Sequence, residues 1–139
     1  MKGYSIEELT IGQTETFTKT VTESDVYGFA GITGDFNPAH VDEASASQTQ
    51  FGHRIAHGML SVGFISAILG TKLPGPGSIY MGQEVKFLKP VYFGDTVTAK
   101  VTVKEIIAEK NRVILETTCS NQKDELLISG TATIYIPAK

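Results

Sequence analysis

Tryptophan is absent from this 139-residue sequence, and cysteine occurs once, at Cys119. A single cysteine closes no intrachain disulfide and holds no metal ion by itself, which fits a reducing compartment. A basic excess is also missing. Twelve Lys and Arg stand against fifteen Asp and Glu, a formal net charge of −3, so the electrostatic footprint of a nucleic-acid binder is not there. The opening residues, Met1 to Glu8, carry no apolar run of the kind a secretory signal needs. The longest apolar stretch, around Met59 to Leu69, falls short of the roughly 20 residues that cross a bilayer. These absences lead us to expect a cytoplasmic protein with neither nucleic acid nor membrane as partner. Repeats, low-complexity tracts and linkers are lacking too, so a single domain over residues 1–139 is expected. At 15.0 kDa, with 41% hydrophobic and 19% charged residues, the chain is large enough to bury a core without staples.

What is present divides in two. The first half carries helix and loop signals. Thr14 to Val21 reads as a strand. Thr22 followed by Glu23, Ser24 and Asp25 reads as a helix N-cap with acidic residues in the first turn. Val26, Phe29 and Ala30 fall at helical spacing, and Gly34 is a stop. Asp42 to Gln48 reads as a second short helix capped by Asp42. From Gly58 to Leu69 nearly every residue is apolar or small, which predicts a helix buried on most sides.

The second half alternates with period two. Ile79, Met81, Gln83, Val85 and Phe87 are expected on one face. Val97 to Val103, Val113 to Cys119 and Leu126 to Ile136 continue the pattern, with turns at Gly94-Asp95, Lys110-Asn111 and Lys123-Asp124. Four successive strands with short links predict an antiparallel meander, with the Thr14 strand as a fifth. A sheet with one apolar face needs a cover, and only the Gly58–Leu69 helix is greasy enough. The expected class is therefore α+β, a hot-dog fold in which an antiparallel sheet wraps a long central helix. The open edge of such a sheet predicts a homodimer or higher homo-oligomer.

Two polar clusters look chemical. In Gly34-Asp35-Phe36-Asn37-Pro38-Ala39-His40, Pro38 holds Asn37 extended and stops the preceding helix. Asp35 and His40 then lie on opposite limbs of a tight turn and can converge. A desolvated carboxyl and an imidazole suit proton transfer near neutral pH. The bland alternative is a turn cap and a satisfied histidine. The second cluster, Arg54-Ile55-Ala56-His57-Gly58-Met59-Leu60, opens the apolar helix. Gly58 can offer its N–H to a carbonyl oxygen at a helix N-terminus, or simply permit close packing. Ser66 either bonds a carbonyl four residues back or points toward the Asp35/His40 turn. Neither Ser61 nor Ser66 sits in a nucleophile elbow, and His40, His53 and His57 lack a metal-ligand spacing, so no metal is expected. No phosphate loop or dinucleotide fingerprint occurs, and Cys119 reads as strand packing.

The strings Gly34-Asp35-Phe36-Asn37-Pro38-Ala39-His40 and Ala56-His57-Gly58-Met59-Leu60, with Val85 to Val91 and Gly94-Asp95-Thr96, resemble the MaoC-like family. Within it they are most similar to the single-domain (R)-specific enoyl-CoA hydratases, over roughly Gly12 to Ile136. The resemblance implies addition of water to a trans-2-enoyl-CoA, with no cofactor beyond the CoA of the substrate. It implies Asp35 and His40 as the catalytic pair, the Gly58 N–H on the thioester oxygen, and Ser66 as a supporting polar group. Asn37 would fix the turn or the water, and His57 counts among the substrate-binding residues. Met59, Val62, Phe64, Met81 and Leu88 are candidate walls for the acyl chain. Arg54, Lys72, Lys86 and Lys89 are candidate contacts for the CoA phosphates. A hot-dog acyl-CoA thioesterase and a non-catalytic acyl-CoA-binding subunit are the alternatives. Which of Asp35 and His40 is the base stays open, as do chain length and carrier.

Overall fold

A computed structural model describes residues 2–138 of the chain. Strand β1 (Thr14–Thr20) leads into helix α1 (Glu23–Thr33), then two single-turn helices, α2 (Pro38–Val41) and α3 (Glu43–Ala46). The long helix α4 (Gly58–Thr71) follows, and strands β2 (Ile79–Phe87), β3 (Thr96–Ile107), β4 (Arg112–Ser120) and β5 (Leu126–Tyr135) complete the order.

Local chemistry explains the helix boundaries. The Thr22 hydroxyl accepts from the Asp25 amide at 3.1 Å while the Asp25 carboxylate accepts from the Thr22 amide at 3.0 Å, a reciprocal cap. Gly34 ends α1 at φ 84°, a left-handed conformation in which a side chain would be strained. Pro38 does more than bend the chain. It is the first residue of α2, where its missing N–H is not needed, and the Asn37 side chain accepts from the Ala39 amide at 3.0 Å. Asp42 caps α3 as the sequence suggests.

All five strands form one antiparallel sheet in the order β1-β3-β4-β5-β2. The expected meander therefore holds for β3, β4 and β5 only. β2 pairs with β5 and not with β3, so residues 88–95 carry the chain across the sheet. The three strand spacings to be crossed total about 14 Å, within reach of that segment and far beyond a hairpin turn. The expected shared face of β2 also fails. A register shift between Tyr80 and Gly82 leaves Met81 as an extra residue, so Ile79 pairs with Tyr135 while Gln83 pairs with the buried Ala132. One inserted residue flips every side chain beyond it to the other face.

The core lies between α4 and the concave side of the sheet. Val97, Ala99, Val101, Val103, Val113, Leu115 and Cys119 point inward and are buried, as their alternation predicts. From α4 they meet Val62, Phe64, Ile65, Ile68 and Leu69, each fully buried Ile or Leu contributing about 1.5–3 kcal/mol. The helix is not buried on most sides within one chain, however. Met59, Gly63, Ser66, Ala67 and Gly70 form an exposed stripe, because the sheet covers only the opposite flank. Among the described residues no helix is long and apolar enough to cross a membrane.

Burial pushes the Cys119 thiol up to about 12, and its sulfur sits 3.7 Å from the Ser61 carbonyl. The folded protein at about pH 8 should thus not react with a thiol reagent such as dithionitrobenzoate, while the denatured chain should release one equivalent of chromophore. Stoichiometric labelling of the native protein would mean that β4 does not face the core.

Candidate active site

The loop between α1 and α2 presents Asp35 and His40 from opposite sides of Asn37 and Pro38. Asp35 Oδ1 accepts from the Asn37 amide at 3.2 Å, which ties the carboxylate to the turn it precedes. His40, half-buried in α2, places Nδ1 2.6 Å from the carbonyl oxygen of Ile55. A carbonyl only accepts, so Nδ1 carries the proton and Nε2 of the neutral ring keeps a bare lone pair. The Ile55 amide in turn donates to the Ala39 carbonyl at 3.0 Å, so the two segments grip each other around the imidazole.

His57 lies beneath this pair and is 2% exposed. Its ring stacks on that of His40, centroids 3.8 Å apart and planes 29° from parallel, and it also meets Phe29 at 4.7 Å. His57 Nε2 donates to the Asp35 carbonyl at 2.9 Å and stands 4.0 Å from the Asp35 carboxylate. Its Nδ1 is buried without a partner among the described residues. His57 is thus a support under Asp35 and His40, with no surface on the cavity described below.

Asp35, His40 and His57 each bring one potential ligand atom within 4.8 Å of the other two. The sequence spacing of the histidines did not reveal this cluster, which the fold assembles from two segments. Two of the four ring nitrogens, His40 Nδ1 and His57 Nε2, are already engaged with carbonyls. That geometry suits the handling of a proton better than convergence on an ion. A water bridging two groups reaches across about 5.6 Å at ordinary hydrogen-bond lengths, so one molecule can touch both Asp35 and His40.

Beside His40 opens an apolar cavity of about 420 Å³, lined also by Gly58, Met59, Leu88 and Lys89 among others, with Asp35 outside its lining. Phe51, Ile55, Val91 and Ile128 also line it; Phe51 carried no sequence signal, Ile128 read as an ordinary strand residue, and Ile55 and Val91 lay within the quoted strings without being singled out as walls. The candidate walls Val62 and Phe64 belong to the core instead, Phe64 packing on Phe17 at 5.6 Å. Met81 is the extra residue of β2 and does not line the cavity.

Gly58 begins α4, and no acceptor for its N–H is found among the described residues. The packing reading of this glycine holds: a Cβ here would lie 2.5 Å from the ring of Phe87. The residue also lines the cavity at a helix N-terminus. Ser66 sits eight residues on, about 12 Å along the axis, on the exposed stripe and away from the cavity. Ser61 lines the cavity instead, with a buried hydroxyl that finds no partner among the described residues.

The candidate phosphate contacts are largely engaged elsewhere. Lys89 Nζ pairs with Glu125 at 2.6 Å, and that bond leads those holding the Glu125 carboxyl below its ordinary range. Lys72 Nζ donates to the Thr16 carbonyl at 2.8 Å. Lys86 lies on an exposed groove of the outer sheet face with Glu84 and Lys104. The Arg54 guanidinium pairs with Glu23 at 3.0 Å and Glu43 at 3.2 Å. Glu43 is held below the usual carboxylate range, first by His53 and then by the Arg54 amide.

An antiparallel sheet wrapped on one helix, with Asp35, His40 and His57 gathered within 4.8 Å beside the start of that helix, defines a hot-dog protein with a polar cluster at its helix tip. The chain belongs to the MaoC-like family: residues 8–124 match the MaoC like domain. It is 53% identical to the (R)-specific enoyl-CoA hydratase of Rhodospirillum rubrum over 96% of this chain and 92% of that one. It is 50% identical to the 3-hydroxybutyryl-CoA dehydratase of Methylorubrum extorquens over 96% of this chain and 84% of the other. Among solved structures, the R-hydratase PhaJ1 of Pseudomonas aeruginosa superposes with a TM-score of 0.92 at 43% identity, covering 99% of this chain and 88% of that one.

The Gly58 amide can be tested by itself, because proline is well tolerated at a first helical position. In a Phe87→Ala background, which makes room for a side chain, Gly58→Ala and Gly58→Pro differ chiefly in the N–H. The proline variant should show a kcat lower by about 10²–10³, the usual cost of one oxyanion donor. Equal kcat values would reduce Gly58 to a packing residue.

Proposed function

We propose that this protein is an (R)-specific enoyl-CoA hydratase, adding water reversibly to a trans-2-enoyl-CoA to give the (R)-3-hydroxyacyl-CoA. The observation that carries this reading is that Asp35 and His40 bring potential ligand atoms within 4.8 Å of each other while His40 Nδ1 is held on the Ile55 carbonyl, a separation that one bridging water can span. The activities named for the relatives from Rhodospirillum rubrum and Methylorubrum extorquens support it.

The acyl chain enters the apolar cavity and its thioester oxygen meets the Gly58 N–H. Charge grows on that oxygen as the β-carbon is attacked, and the helix terminus stabilises it. His40 Nε2 takes a proton from the bound water, and the resulting hydroxide adds to the β-carbon. Protonated Asp35 delivers a proton to the α-carbon. Both groups stand on one side of the substrate, so addition is syn. The proton on His40 then returns to Asp35 and resets the pair. Hydration is redox-neutral and its reagents are water, an acid and a base, so the reaction calls for no cofactor beyond the CoA of its substrate.

The working unit is a homodimer in the cytoplasm. β2 is an unpaired sheet edge carrying Ile79, Tyr80 and Met81, which are 47%, 37% and 53% exposed. The small-residue stripe of α4 is uncovered as well, and a second copy would bury both. The Asp35 side chain, 52% exposed in the single chain, would lose water when substrate and partner close over it.

Asp35→Asn and His40→Ala should each lower the hydration of crotonyl-CoA by about 10²–10⁴. Loss of the enoyl-thioester absorbance without release of thiol, together with (R)-product on chiral analysis, marks hydration. Thiol release would mark a thioesterase, and unaltered turnover by both variants would remove the Asp/His mechanism. Sedimentation should return about twice the chain mass of 15.0 kDa. A monomer would refute the dimer.

A further inference from the structure

We propose that Arg54 is a positioning residue for His40: through Tyr27 and Glu43 it locks together the two backbone segments between which the imidazole is held. The inference rests on the reading of Asp35 and His40 as the reacting pair. On one side, Arg54 Nη1 donates to the Tyr27 hydroxyl at 2.6 Å, and that hydroxyl donates to the carbonyl of Val41 at 3.1 Å. Val41 directly follows His40 in α2. On the other side, Arg54 directly precedes Ile55, whose carbonyl accepts from His40 Nδ1.

The clasp has further anchors. Both the amide and Nε of Arg54 donate to Glu43 Oε1, at 3.1 and 3.2 Å, which ties the strand leading to Ile55 onto α3. Nη1 also meets Glu23 at 3.0 Å, at the start of α1. The guanidinium stands 4.7 Å from the centroid of the Phe93 ring. With a side chain only 21% exposed and two carboxylates already engaged, Arg54 is poorly placed to receive a phosphate. A planar fork that bonds Tyr27, Glu23 and Glu43 at once is a task lysine cannot reproduce.

The test compares crotonyl-CoA with the crotonyl thioester of N-acetylcysteamine, which lacks the nucleotide and its phosphates. Arg54→Ala should lower kcat by about tenfold to a hundredfold on both substrates, the scale of a small misplacement of a catalytic group, with KM nearly unchanged. Arg54→Lys should recover only part of the loss. Tyr27→Phe should lower kcat several-fold in the parent protein and add little in the Arg54→Ala background, because both act through one linkage. Circular dichroism establishes that each variant is folded at the assay temperature. A rise in KM confined to the CoA thioester would make Arg54 a phosphate contact and overturn the proposal. Unchanged kcat in the folded variants would overturn it too. Should Arg54→Ala fail to fold, Tyr27→Phe decides alone, and full kcat there refutes the linkage. Asp35→Asn is run alongside: full activity in that variant would sink the Asp/His reading itself, whatever Arg54 does.

Discussion

An imidazole serves as a base only while one of its nitrogens is bare, and the carbonyl of Ile55, 2.6 Å from His40 Nδ1, is what leaves Nε2 so. The same bond sets the plane of the ring and hence where Nε2 points. His57 packs against that ring from below and holds the Asp35 carbonyl with its own Nε2, so Asp35 and His40 share one support. Several supports converge on a turn of a few residues because a loop positions side chains poorly unless something rigid backs it.

The rigid backing is the contact between the loop and the start of α4. The Ala56 amide donates to the Val91 carbonyl at 2.8 Å, and Ile55 bridges Tyr92. The crossing segment from β2 to β3 therefore does two things. It carries the chain over the sheet, and it fastens the strand-like stretch that feeds Gly58 into the helix N-terminus. At Gly58 itself Phe87 occupies the place of a side chain, and no acceptor for the amide is found among the described residues.

A single chain leaves the design unfinished along one side. The core between α4 and the inner sheet is closed, while β2 and the stripe from Met59 to Gly70 are bare.

Much of this was legible in the residues. The alternation of Val97 to Val103 and Val113 to Cys119 specified an inner face, because a strand's side chains alternate with a period of two. The caps at Thr22 and Asp42 and the stop at Gly34 follow from local hydrogen bonding and from φ, which near neighbours decide. Asp35, His40 and Gly58 stood out by their order and spacing. Other features depend on residues distant in sequence. The pairing of β2 with β5, and the face reversal at Met81, arise from a chain crossing and one inserted residue that periodicity does not register. His57 beneath His40, the cavity walls at Val91 and Ile128, and the engagement of Arg54 with Glu23 and Glu43 exist only where separate segments meet. Local sequence determines which conformations a segment favours and which groups it carries, whereas packing in three dimensions decides which of those groups touch.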